Sequence, residues 1–196
     1  MSDYFFITSK LNGYVLDVQG ANTAAVTPIV SNPQTGASSQ LWQRVPTGPK
    51  DRSGGQSQYY IQTKLNNFVL DIKGSNTAPV TPIINYPINS PASNNQIWQI
   101  VESSVEGYFY ITSLLNNFVL DVTGSNTAPG TQVISYPQNS PTSDNQLWSF
   151  VLSDGTQPVI KKSAFAKKSA FATTSTPVKK SAFAATNKTA FAPPKK

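Results

Sequence analysis

The sequence contains no cysteine and no histidine. Without thiols there are no disulfides, no cysteine-based zinc sites and no thiol nucleophile. Without imidazole there is no histidine metal site and no triad that needs a histidine base. Most hydrolytic chemistry is thereby excluded, and an enzyme working through carboxylates alone would need a pair of acids that no spacing here defines. No catalysis, cofactor or metal is expected. Acids are missing from one region: residues 161–196 hold nine lysines and neither Asp nor Glu, whereas residues 1–160 hold six Lys+Arg against nine Asp+Glu, net −3. The formal charge of +6 therefore describes a tail, and what precedes it is mildly acidic. The opening MSDYFFITSK lacks a basic region, an apolar run and a small-residue cleavage site, and no segment approaches a membrane span. These absences predict a cytoplasmic protein, although unconventional export would leave no mark. The 196 residues suffice for one ordinary domain with a remainder.

What is present is a repeat. Asn66 to Pro79 (NNFVLDIKGSNTAP) and Asn116 to Pro129 (NNFVLDVTGSNTAP) agree at 12 of 14 positions, and Asn12 to Ala25 (NGYVLDVQGANTAA) matches the latter at nine. In each copy an isoleucine (Ile7, Ile61, Ile111) stands ten residues before an aspartate (Asp17, Asp71, Asp121). After 25, 27 and 27 residues the aspartates are followed by Trp42, Trp98 and Trp148, each closing a Gln-x-Trp triplet. The aspartates are 54 and then 50 apart; the surplus is a polar insert at Thr47 to Ser57 (TGPKDRSGGQS), which reads as a surface loop.

Within a copy, aromatic and β-branched runs of four to six residues alternate with Asn, Gly, Ser, Thr and Pro, a strand pattern, and long helical periodicity is missing. In Val119-Leu120-Asp121-Val122 a period of two puts Leu120 and Val122 on the core face and leaves Asp121 looking outward. Three copies of several short strands each predict an all-β, closed antiparallel architecture in which no copy can bury its apolar face alone. Leu16, Leu70, Leu120 and the three tryptophans are expected in the core. Gly20, Gly74 and Gly124 are expected to serve turns that need positive φ.

The threefold (V/I)-L-D-(V/I)-x-G segment in phase with Q-x-W resembles the ricin B-type lectin family, and the lack of cysteine is most similar to its fungal-type members. The resemblance covers residues 4 to about 152. It implies a β-trefoil over residues 1–158, with repeats at about 4–46, 58–102 and 107–152, and up to one carbohydrate site per repeat. In such a site a carboxylate accepts hydrogen bonds from neighbouring sugar hydroxyls, amides serve the remaining hydroxyls, and an aromatic ring packs on the C–H face. The family's aspartate falls on Asp17, Asp71 and Asp121, and its Asn-Gln pair on Asn95-Gln96 and Asn145-Gln146; the first copy has Ser39-Gln40. Tyr86 and Tyr136 are the candidate stacking rings, against packing as the alternative, and Asn32 stands at their place in the first copy. Two working sites are expected, with Asp17 in a weak or inactive repeat. An aspartate before x-Gly-x-Asn-Thr can also simply bond its own turn.

By resemblance the protein is a multivalent, agglutinating lectin for terminal galactose or N-acetylgalactosamine on glycoproteins or glycolipids. A β-trefoil protease inhibitor acting through the insert, and an intracellular scaffold whose tail is the active part, are the alternatives; a homodimer is compatible with each. The tail, residues 159–196, repeats KKSAFA at Lys161, Lys167 and Lys179. Phe165 and Phe171 would be turned by about 600° on a helix and share no face, so disorder is expected. Its lysines and phenylalanines suit an anionic membrane or nucleic acid, against a solubilising extension with no partner as the alternative, and Ser163, Ser169 and Ser181 suit basophilic kinases.

Overall fold

Four strands fall within each repeat. They are β1 Phe5–Ser9, β2 Val15–Val18, β3 Thr27–Asn32 and β4 Trp42–Pro46; then β5 Gln58–Thr63, β6 Val69–Ile72, β7 Thr81–Tyr86 and β8 Trp98–Glu102; then β9 Phe109–Ser113, β10 Val119–Val122, β11 Thr131–Tyr136 and β12 Trp148–Leu152. The structure, a computed structural model, describes residues 4–48 and 57–154. The centre of the insert and the whole tail, with the disorder, membrane, nucleic-acid and kinase expectations attached to it, lie outside the described residues.

The first and last strands of the repeats pair antiparallel in a ring, β1–β4–β5–β8–β9–β12 and back to β1. A closed ring leaves no unpaired sheet edge. The middle strands form three hairpins, β2/β3, β6/β7 and β10/β11. Their second strands pair with one another around a triangle, β3–β7, β7–β11 and β11–β3. A six-stranded barrel capped by three hairpins is a β-trefoil, as the resemblance implied.

The core lies where barrel and cap meet. Trp42, Trp98 and Trp148 are fully buried, as are Ile7, Ile61, Ile111, Leu16, Leu70 and Leu120. Each indole N–H donates to the carbonyl of the leucine in its own repeat, Leu16, Leu70 and Leu120, at 3.0, 3.0 and 3.1 Å. These bonds satisfy the polar atom of a large buried ring and fasten the start of each closing strand to the hairpin. Near the other end of the barrel, Arg44 stands where the other repeats have Ile100 and Phe150, and its guanidinium lies 5.5 to 5.7 Å from the ring centres of Phe5, Tyr59 and Phe150. The delocalised cation is held there by ring faces.

The repeated polar words are turns. Asn12, Asn66 and Asn116 accept from the backbone N–H two residues on at 3.0, 3.1 and 3.1 Å, and Asn22, Asn76 and Asn126 do the same at 2.9 Å. Gly20, Gly74 and Gly124 have φ of 63, 66 and 62°, the left-handed conformation their turns require.

Candidate functional site

Asp71 occupies the third position of β6, where it pairs with Ile84 of β7, while Val69 pairs with Tyr86. Asp121 and Val119 stand opposite Ile134 and Tyr136 in the same way. Directly paired residues share a face, and the period of two puts both pairs on one face, so each aspartate and its tyrosine belong to the same side of the hairpin. That side is turned away from the barrel core, as the strand period predicts. It is not, however, open to solvent at the carboxylate: Asp71 and Asp121 are 3% exposed and Asp17 8%. The four-residue strands are buried on both faces, because a second layer covers them. In repeat three Tyr110 and Leu147 pack on Val119 of β10, and in repeat one Phe6 and Leu41 pack on Val15 of β2. Over the carboxylates the layer includes the 3-10 turns Asn94–Gln96 and Asp144–Gln146.

Those turns explain the phase between the L-D and Q-x-W words. Once Trp98 is bonded to Leu70, the turn two residues earlier brings the Gln96 amide against the next residue along β6. Gln96 Nε2 donates to Asp71 Oδ2 at 2.7 Å and to the Pro87 carbonyl at 2.8 Å, and its Oε1 accepts from Asn89 N–H at 2.9 Å. Gln146 repeats this with Asp121 at 2.8 Å, the Pro137 carbonyl at 2.9 Å and Asn139 N–H at 2.8 Å. Both protons of each amide are used, and each glutamine is fully buried. The expectation that Gln96 and Gln146 offer amides to a ligand is corrected on this point: they are positioning residues that hold the carboxylate and the loop after the tyrosine.

Asn95 and Asn145 are also buried, at 3 and 4% exposure. Their Nδ2 groups donate to the carbonyls of Ile72 and Val122 at 3.4 and 3.2 Å, and their Oδ1 atoms are buried without a hydrogen-bond partner. An unpaired buried acceptor costs about 1–3 kcal/mol, and in the two tyrosine-bearing repeats it falls on this asparagine. Burial pushes the Asp71 and Asp121 carboxyls above their ordinary 3.8, opposed by hydrogen bonds from the Gln and Asn side chains. Tyr86 and Tyr136 are half-buried at the ends of their strands.

Repeat one differs in the bonds around its carboxylate. Asn32 holds the tyrosine position, opposite Val15. Its Nδ2 donates to Asp17 Oδ2 at 3.0 Å, the oxygen that Gln40 Nε2 also reaches at 3.1 Å, and its Oδ1 accepts from Gly130 N–H at 2.7 Å. Asp17 Oδ1 is buried and unpartnered. Asn32 thus adds a second donor to one oxygen of the carboxylate and ties it to the neighbouring repeat.

Sequence reasoning missed the residues that the neighbouring repeat brings to each hairpin. Ile84 pairs not only with Asp71 but with Pro28, and Ile134 not only with Asp121 but with Pro82. No word within one repeat signals a pairing between repeats.

The wider likeness agrees with this architecture. A family described as "Ricin-type beta-trefoil lectin domain-like" matches residues 1–86 and 94–167. ThreeFoil, a designed threefold-symmetric protein, superposes with a TM-score of 0.67 at 25% identity, covering 76% of this chain and 97% of that one. The C-half of an earthworm R-type lectin, solved with GalNAc, gives 0.55 at 27% identity, covering 76% and 98%. An exo-beta-1,3-galactanase from Clostridium thermocellum gives 0.65 at 26% identity; the match spans 78% of this chain but 30% of the enzyme. No curated protein matches the chain. By the matched residues, the chain belongs to the ricin-type β-trefoil lectin domain-like family.

Proposed function

We propose that this protein is a non-catalytic lectin that binds terminal galactose or N-acetylgalactosamine on glycoproteins or glycolipids through repeats two and three. One observation carries the reading: Asp71 and Asp121 are each braced by a glutamine beside an asparagine with an unpaired oxygen, on the hairpin face that ends in a part-exposed tyrosine. A fixed carboxylate accepts from two sugar hydroxyls without first losing side-chain freedom, and the ring covers the C–H face. The earthworm lectin's GalNAc complex supports the sugar class. The Asn32 bond to Asp17, at the position where the other repeats carry a tyrosine, supports two sites and not three. Sites of this shallow kind bind at roughly millimolar strength, about −4 kcal/mol each, so agglutination rests on two sites engaging together. In this reading the protein acts from the cytoplasm or after unconventional export.

A glycan array probed with the full chain and with the Asp71→Asn/Asp121→Asn double variant tests it. Galactose-type glycans should bind the wild type and not the folded variant. A folded wild type that binds no glycan, or a variant that binds as well, overturns the proposal.

A further inference from the structure

Beyond the carboxylate and the ring, each hairpin borders the repeat before it, and what it meets there differs in step with the ring. The paired rows run Asp71–Ile84–Pro28, Asp121–Ile134–Pro82 and Asp17–Val30–Gln132. Residues paired in a row share one face, and two strand spacings put the third member about 10 Å from the first. Just before each of these third residues the chain enters its strand through a bulge. Val26 N–H donates to the Asn85 carbonyl at 3.0 Å while Thr27 is itself paired with Asn85, so two residues oppose one. Val80 with Ser135, and Gly130 with Ser31, repeat the arrangement at 3.1 and 3.0 Å.

The first residue of each bulge is left-handed, with φ of 67° at Val26, 65° at Val80 and 77° at Gly130. Glycine suits that position, and a β-branched residue is strained in it. Gly130 makes the same backbone bond, so the fold does not require valine. Nor does burial explain the valines, which are 44% and 55% exposed. Strain kept without a folding reason points to function. The strained valines adjoin the tyrosines: Val26 bonds to the residue before Tyr86, and Val80 to the residue before Tyr136. Where the ring is replaced by Asn32, the neighbour presents Gly130 and Gln132 instead.

We propose that the sites of repeats two and three are each completed by the preceding repeat, with Val26 and Pro28 beside Tyr86, and Val80 and Pro82 beside Tyr136, forming an apolar shelf for the group next to the terminal sugar. The preferred ligands then carry a C–H or methyl surface beside that sugar, from a second pyranose ring or an N-acetyl group. This inference rests on the carbohydrate-binding reading above.

The test is calorimetric titration of the full chain, wild type and Val26→Gly/Val80→Gly, with methyl galactoside, methyl N-acetylgalactosaminide and methyl lactoside. The wild type should bind at least one of the two larger ligands more tightly than methyl galactoside. The variant should reduce that preference about fourfold, the change one buried methylene-sized contact carries, with no fall in its unfolding midpoint. The ligand whose advantage shrinks tells the methyl group from the second ring. An unchanged preference overturns the shelf alone. A lowered midpoint with all three affinities falling together assigns the valines a structural role and also overturns it. A folded wild type that binds none of the three overturns the carbohydrate reading itself, and the shelf with it.

Discussion

Asp71 and Asp121 are carboxylates taken out of water and kept in place by amide donors that do not fully offset the burial, so their carboxyls titrate above the ordinary 3.8. The consequence for stability has a definite sign. Between the unfolded value and the raised folded one the native chain holds more protons, so these residues make it more stable as pH falls through that window and less stable above it. Asparagine keeps the acceptor for the glutamine and removes the charge. The Asp71→Asn/Asp121→Asn variant should therefore be at least as stable as wild type near neutrality and should lose the stability gain on acidification, read by urea unfolding across that range. Sugar binding by the wild type should weaken as pH falls through the same window, because the protonated carboxyl is the poorer acceptor. The identity and phase of these residues were legible in the sequence. Their burial was not, since the layer that covers them comes from turns 25 residues further along the chain and from barrel strands, and the alternation along β10 reports only which face a residue takes.

The element that organises each repeat is the 3-10 turn before the closing tryptophan. Gln146 joins the hairpin, the turn and the loop after Tyr136 through three bonds, so Gln146→Ala leaves Asp121, the Pro137 carbonyl and the Asn139 N–H without their partner. A loss of about 2–4 kcal/mol in urea unfolding is expected, with weakened binding at repeat three. A change of less than about 0.5 kcal/mol would show that the turn does not depend on this brace. The strands themselves were legible from their β-branched runs, and the turns from Asn and Gly at fixed offsets. The role of glutamine was not, because an amide before a buried tryptophan has the same spacing whether it faces a ligand or the protein.

At the scale of the whole molecule, three copies make a closed barrel and a threefold cap, yet the three carboxylates do not have the same neighbours. Asn32 ties Asp17 to Gly130 of another repeat, while Val26 and Val80 bond to the residues before Tyr86 and Tyr136. The threefold fold was legible from the in-phase words and the family they resemble. The pairings between β3, β7 and β11 join residues 50 or more apart and were not, because no word within one repeat reports them. Of the account's claims, the count of sites is the most direct to test. Chemical-shift titration of the full chain with methyl galactoside should show two sites, one perturbing Tyr86 and the other Tyr136. Asp71→Asn should remove only the first, Asp121→Asn only the second, and Asp17→Asn neither. Three equivalent sites, or shifts at Asn32 that survive the loss of both aspartates, would contradict it.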